Sequence, residues 1–200
     1  MGMKNLYESL LDDFDTLSDK LDPKGDVIEF LKRNVDEFKK LVISDKPNKD
    51  GLYEVSSRGD VTFYNRDDSK RLTNGLFIWT TIKGDFDCSW NTKLETLEGG
   101  PKKVGGRFTC SRCTSLKSLE WAPKEVGQDF ELDWCESLTS LKGAPQTIPR
   151  DFNCCYCTKL KSLKYGPKAV GGNYFCAVCG ETFSSHEINM SVDVGGRVIV

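Results

Sequence analysis

Between Lys83 and Cys179 the apolar positions recur with a period of 22 residues. Phe86, Phe108, Phe130, Phe152 and Tyr174 fall in one column. Leu94, Leu116, Leu138 and Leu160 fall in a second, and Leu97, Leu119, Leu141 and Leu163 in a third. Pro101, Pro123, Pro145 and Pro167 share another column, as do Val104, Val126, Ile148 and Val170. The copies are Lys83–Val104, Gly105–Val126, Gly127–Ile148 and Pro149–Val170, with Gly171–Cys179 opening a fifth. Such a period predicts a solenoid, because one coil cannot bury its apolar side alone and must stack on its neighbours.

Inside a coil the alternation of Arg107-Phe108-Thr109-Cys110-Ser111 has the period of a half-buried strand, with Phe108 and Cys110 on one side. Leu116 and Leu119 turn in to meet them. Gly99-Gly100-Pro101, Gly143-Ala144-Pro145 and Tyr165-Gly166-Pro167 make the return bend, and Gly105-Gly106 starts the next strand. Stacked at ~4.8 Å, about six coils give a parallel sheet on the order of 25–30 Å along the stack.

The flanks follow other rules. In Lys4–Leu21, Leu6, Leu10, Phe14, Leu17 and Leu21 stand at helical spacing. Asp22-Pro23 caps a second helix whose apolar face is Val27, Ile28, Leu31, Val35, Phe38, Leu41 and Val42. Residues 1–46 are thus a helical cap or a docking arm. Residues 47–82 hold a hairpin, Leu52–Val55 against Val61–Tyr64, and a degenerate first coil in which Tyr64, Leu72 and Ile82 precede Phe86, Leu94 and Val104 by one period. The regular solenoid spans 83–182. In 183–200, a C-terminal cap, Val194–Val200 echoes Val104–Cys110 and predicts a closing edge strand after a two-residue insertion. The fold class is a β-rich α/β solenoid.

Composition narrows the function classes. With 38% hydrophobic and 29% charged residues there is material for a core and no long apolar run, so no membrane partner is expected. The net charge of −2 disfavours nucleic acid, which is held by clustered Lys and Arg. Met1–Leu21 lacks the order of an export signal, so the expected place is cytoplasmic. His186 is the single histidine, and no catalytic triad, phosphate-cradling loop or metal-binding helix is legible, so no enzyme and no cofactor are expected.

The segment Phe108-x-Cys110-x-x-Cys113-x-x-Leu116-x-x-Leu119 resembles the cysteine type of leucine-rich repeat, with Asn91 in the ladder place of the asparagine type. It is most similar to phage-encoded coils of the form GG-x-F-x-C-S-x-(N/C)-x-x-L-T-S-L-x-G-A-P-x-x-V, over roughly Gly51–Cys179. Met3–Leu11 resembles an opening segment shared by phage proteins. The resemblance implies a horseshoe-like binding scaffold, without catalysis, in the cytoplasm of a bacterial host or in a virion. The long helical convex side of the family has no counterpart in these short bends.

Nine cysteines suggest a second reading. Cys154, Cys157, Cys176 and Cys179 have the spacing of a four-thiolate zinc site, which would suit a zinc-dependent nucleic-acid-binding protein. Yet Leu132 occupies the column of Cys88, Cys110, Cys154 and Cys176, and leucine cannot ligate zinc. Asn91 occupies the column of Cys113, Cys135, Cys157 and Cys179, which points to packing for the first column and a hydrogen-bonding ladder for the second.

The outward strand positions carry Asp85, Asp87, Asp129, Glu131 and Asp133, and a neighbouring column carries Trp90, Arg112, Trp134 and Tyr156. These are the candidate partner-binding residues. Aromatic and arginine side chains dominate binding hot spots, and the acidic surround predicts a protein or peptide partner with basic residues. The alternative role of the same column is a stabilising stack between coils. Trp121 and Tyr165, at the return bend, form a lesser patch.

Overall fold

The computed structural model describes residues 22–64 and 69–200. The segment Lys4–Leu21 lies outside the described residues. Helix α1 (Pro23–Asn34) begins as expected, with the Asp22 carboxylate accepting from Gly25 N and proline in the first turn. Its inner face puts Phe30 against Phe63 and Phe77, at 6.2 and 5.7 Å between ring centres, so it covers the core of the first coil. The apolar stripe expected to continue through Phe38 and Val42 instead ends at Asn34. Val35 is extended and bridges to Phe63, Glu37 is left-handed, and Phe38–Lys40 makes one 3-10 turn. Pairing with the sheet edge wins over a helical continuation that would leave that edge bare. Strand β1 (Leu41–Ile43) follows and runs antiparallel to β2 (Tyr53–Ser57).

The expected hairpin is not formed. Strands β2 and β3 (Val61–Thr62) lie in different sheets, because Arg58-Gly59-Asp60 turns a solenoid corner. Strand β4 (Phe77–Ile82) pairs in parallel with β2. The first coil is also longer than its sisters. Val61, and not Tyr64, stands over Phe86, 25 residues away, while Ile82 keeps its expected place beside Val104. The extra residues lie in the bend before β4.

The repeats then contribute two short strands each. One series follows the phenylalanine column and the other the valine column: β5 (Phe86–Asp87), β6 (Lys103–Val104), β7 (Phe108–Thr109), β8 (Glu125–Val126), β9 (Phe130–Glu131), β10 (Thr147–Ile148), β11 (Phe152–Asn153), β12 (Ala169–Val170) and β13 (Tyr174–Phe175). Alternation does not predict the second series, since a two-residue strand is too short to show it. The chain is a β-solenoid with two parallel sheets. Between the sheets the rings of Phe86, Phe108, Phe130 and Phe152 stack at 5.8, 5.2 and 6.2 Å, and the buried leucines of the two leucine columns close over them.

The stack ends in helix α2 (Ser185–Ser191), opened by a Ser184–Glu187 capping box where Thr182 and Ser185 interrupt the leucine columns. Strands β14 (Asp193–Val194) and β15 (Val198–Ile199) then rejoin the sheets, with Val194 beside Val170 and Val198 beside Tyr174. This is the closing edge expected from the echo at Val194–Val200. The sheet that begins at β3 and ends at β15 has seven strands and encloses six turns.

The second sheet is broken once. It runs β1-β2-β4-β6-β8 and resumes as β10-β12-β14. At each intact corner a residue of one fixed column donates its N–H to the valine column of the preceding coil: Gly105 to Ile82, Gly127 to Val104, Gly171 to Ile148 and Gly195 to Val170. Pro149 fills that column between β8 and β10 and has no N–H to give. It also brings a Cβ to a corner so tight that one built on Gly127 would fall 1.8 Å from the Gly105 carbonyl oxygen. Loss of the donor and crowding at the corner both open this one rung.

Candidate functional site

The cysteines are part of the interior. Cys88, Cys110, Cys154 and Cys176 are buried in the column that also holds Leu132. In the second column each thiol donates to a carbonyl of the preceding coil: Cys113 to Cys88 O at 3.1 Å, Cys135 to Cys110 O and Cys157 to Leu132 O at 3.3 Å, and Cys179 to Cys154 O at 3.2 Å. Asn91 does the same with its amide to Phe63 O at 2.8 Å, and also donates to Cys88 O of its own coil at 2.7 Å. This is the ladder that the Asn91 substitution pattern implies. Burial pushes the thiols of Cys154 and Cys157 well up and that of Cys176 to about 12, whereas the hydrogen bond with Cys154 lowers that of Cys179. Among the described residues no group of three His, Cys, Asp or Glu is placed to hold a metal ion, so Cys154, Cys157, Cys176 and Cys179 do not make the tetrahedral site their spacing suggested.

The five acidic candidates divide. Asp85 Oδ1 accepts from Arg107 N at 2.7 Å, and Asp129 Oδ1 accepts from Asp151 N at 3.0 Å. Asp60, Asp151 and Asn173 make the same bond to the next coil, at Asp85 N, Asn173 N and Arg197 N. This column therefore caps the corners of the solenoid. Asp129 is buried and also holds Arg107 Nε at 3.4 Å and Arg150 Nε at 3.9 Å. Asp85 and Asp129 thus have a structural role as corner caps. The signal was present in the sequence: an Asp or Asn before each aromatic residue of the core column, in every coil but those with Arg107 and Arg197.

Asp87, Glu131 and Asp133 remain on the outer surface. Asp87 accepts from Ser89 N, and Asp133 accepts from the Ser111 hydroxyl at 2.5 Å. Glu131 is half-buried, and its carboxyl is raised above the usual range chiefly by that burial, with Asp129 and Asp133 adding to the shift and Arg107 opposing it.

Beside them runs the aromatic column. Arg112 Cζ lies 4.5 Å from the Trp90 ring centre and 4.9 Å from that of Trp134, and Trp134 stacks on Tyr156 at 4.2 Å and 11°. The structure thus brings Trp90, Arg112, Trp134 and Tyr156 into one continuous ridge. Each occupies the left-handed backbone region, with φ of 65°, 60°, 62° and 58°, as does Val178 at 56°. The turn needs that conformation to reverse direction between the strand and the ladder residue, and the N–H of each ridge residue still bonds the next coil. Trp90 is 69% exposed, Val178 59% and Tyr156 36%. Of the lesser patch, Tyr165 is also left-handed and exposed, with Lys164 Nζ 4.9 Å from its ring centre, and Trp121 is exposed. His186 is exposed on α2.

Comparison with known protein families, curated proteins and solved structures finds no match to this chain. Among the described residues no helix is long and apolar enough to cross a membrane.

Proposed function

We propose that the protein is a non-enzymatic binding scaffold that grips a protein or peptide carrying basic residues along the Trp90–Arg112–Trp134–Tyr156 ridge, flanked by Asp87, Glu131 and Asp133. The observation that carries this reading is the left-handed backbone beneath four planar side chains, exposed at Trp90 and Tyr156 and half-buried at Arg112 and Trp134. For an L residue that conformation costs roughly 1–2 kcal/mol, so four positions cost on the order of 4–8 kcal/mol. Two cation–π contacts at ~0.5–1 kcal/mol each and one ring stack at ~0.5–1.5 kcal/mol return about 1.5–3.5 kcal/mol, which falls short of that cost. Glycine would serve the turn without strain and keep the same backbone bonds. A stabilising stack alone therefore does not account for these residues, and strain retained at exposed aromatics marks a recognition surface.

The guanidinium of Arg112 holds the ridge rigid, so binding does not have to freeze four loose side chains. A partner lysine or arginine meets the open face of Trp90 and the carboxylates of Asp87, Glu131 and Asp133. The kinship with leucine-rich repeats, and a place in a bacterial cytoplasm or a virion, rest on the repeat residues quoted above.

The test uses fluorescence anisotropy with a labelled peptide alternating lysine and leucine. Trp134→Ala should weaken binding at least about tenfold, in the range of a hot-spot truncation. Thermal unfolding should shift little, because the ring is not in the core. Unchanged affinity in Trp134→Ala would refute the ridge as the binding surface. Affinity capture followed by mass spectrometry would then name the natural partner.

A further inference from the structure

The break in the second sheet opens a feature of opposite character. Over the rung between β8 and β10 lies a groove of 1180 Å³. Its apolar floor includes Val126, Ala144, Pro145 and Leu163, and the C-terminal end of α2 closes one side through Val192. Four exposed lysines, Lys124, Lys142, Lys164 and Lys168, come from three successive coils to line it. The single carboxylate in the lining, Glu125, is turned to Lys103 at 2.6 Å. Lys142 reaches Glu120 at 3.3 Å, Lys124 donates to Gly143 O at 3.1 Å, and Lys164 lies over Tyr165. Lys168 makes no ion pair among the described residues. The groove therefore has a net positive rim on a chain whose formal charge is −2.

We infer that this groove is a second docking site, for an acidic peptide segment of a partner protein. Three observations choose that occupant. The volume exceeds the ~300–1,000 Å³ of small-molecule pockets and suits a chain segment. The floor is apolar and bordered by the Tyr165 ring, which fits alternate side chains of an extended peptide. Lys142 and Lys164 stand one coil apart in one repeat column, and Lys124 and Lys168 stand two coils apart in another with Gln146 between them, so two short rows of positive charge can meet the carboxylates of an acidic segment. Nucleic acid fits less well, since one ring alone borders the floor for stacking. Tyr165 repeats the ridge's signature, a non-glycine residue at φ 69° where Gly99 and Gly143 occupy the same column. The inference is independent of the ridge reading, which concerns other residues and a basic partner.

The full chain is titrated into a labelled peptide of about ten residues alternating glutamate with leucine and tyrosine. Parallel titrations use the lysine counterpart and a short oligothymidylate. Binding of the acidic peptide should weaken at least about tenfold in K164E/K168E and fall steeply with added salt, while the variant unfolds as the parent does. Pro149→Gly returns the missing N–H and removes the crowding Cβ. With every lysine in place, closing the rung should also weaken this peptide, and Trp134→Ala should not. The proposal is overturned if the acidic peptide fails to bind, if K164E/K168E binds it as the parent does, or if oligothymidylate binds more tightly.

Discussion

The two parallel sheets are built from the same repeats, yet one is continuous over seven strands and the other is cut at Pro149. In the continuous sheet every rung has a backbone donor, and its corners are secured again by carboxylates such as Asp85, Asp129 and Asp151. At the Pro149 corner Asp129 still accepts from Asp151 N, but the backbone donor of the valine-column ladder is missing, so the pairing of β8 with β10 is lost while the two strands stay neighbours. The comparison teaches that one missing backbone donor suffices to interrupt one sheet while the other, built from the same coils, stays continuous. The secured sheet supports the strained aromatic ridge, and the unsecured one yields the lysine-lined groove. The two proposed docking surfaces thus lie on different sheets, the ridge on the continuous one and the groove over the interrupted rung.

That contrast can be broken or sharpened by substitution. The largest effect is expected for Phe130→Ala, which removes the middle ring of the stack that both sheets enclose. A loss of about 3–5 kcal/mol by chemical denaturation is expected, felt by both sheets together. A separate early transition of the β10-β12-β14 segment would show instead that the sheets melt independently. A smaller effect, about 1 kcal/mol, is expected for Asp129→Ala, which deletes a corner cap. Asp129→Asn should cost less than half as much, because an amide oxygen caps equally well, as Asn173 does for Arg197 N, and only the contacts to Arg107 and Arg150 are weakened.

The smallest effect belongs to Glu131. Its carboxyl is raised in the folded protein by burial, so the native state binds a proton more readily than the unfolded chain across the carboxylate range. Its ionisation therefore costs stability as pH rises through that range, and protonation relieves the cost as pH falls. Glu131→Gln should flatten this region of the stability profile and change stability at neutral pH by about 0.5 kcal/mol or less, read from denaturation midpoints at several pH values.

Much of this is legible in the residues themselves. The columns of Phe86 and Leu94 announce stacking, and Leu132 and Asn91 assign the cysteines to packing and to a ladder. The ridge follows from its fixed offset to that ladder. The Val61 register, the corner in place of a hairpin, and the strand at Leu41–Ile43 escape a reading by pattern because these segments lack a repeat to be compared with. The capping role of Asp85 and Asp129 is signalled only by the recurrent Asp or Asn before the core aromatics, and an acidic residue read as an outward strand position counts as surface charge until its backbone partner, one coil away, is known.

The amino-acid sequence alone thus determined the rise of one coil on the next, since a 22-residue period leaves each apolar side covered only by its neighbour. Tertiary structure decided everything that depends on who stands beside whom across a rung. It turned acids into caps, gave the valine column a sheet of its own, and made the missing N–H of Pro149 into a groove. The physical reason is that burial is a property of the repeat, whereas a hydrogen bond or a gap between coils is a property of two residues far apart in the chain.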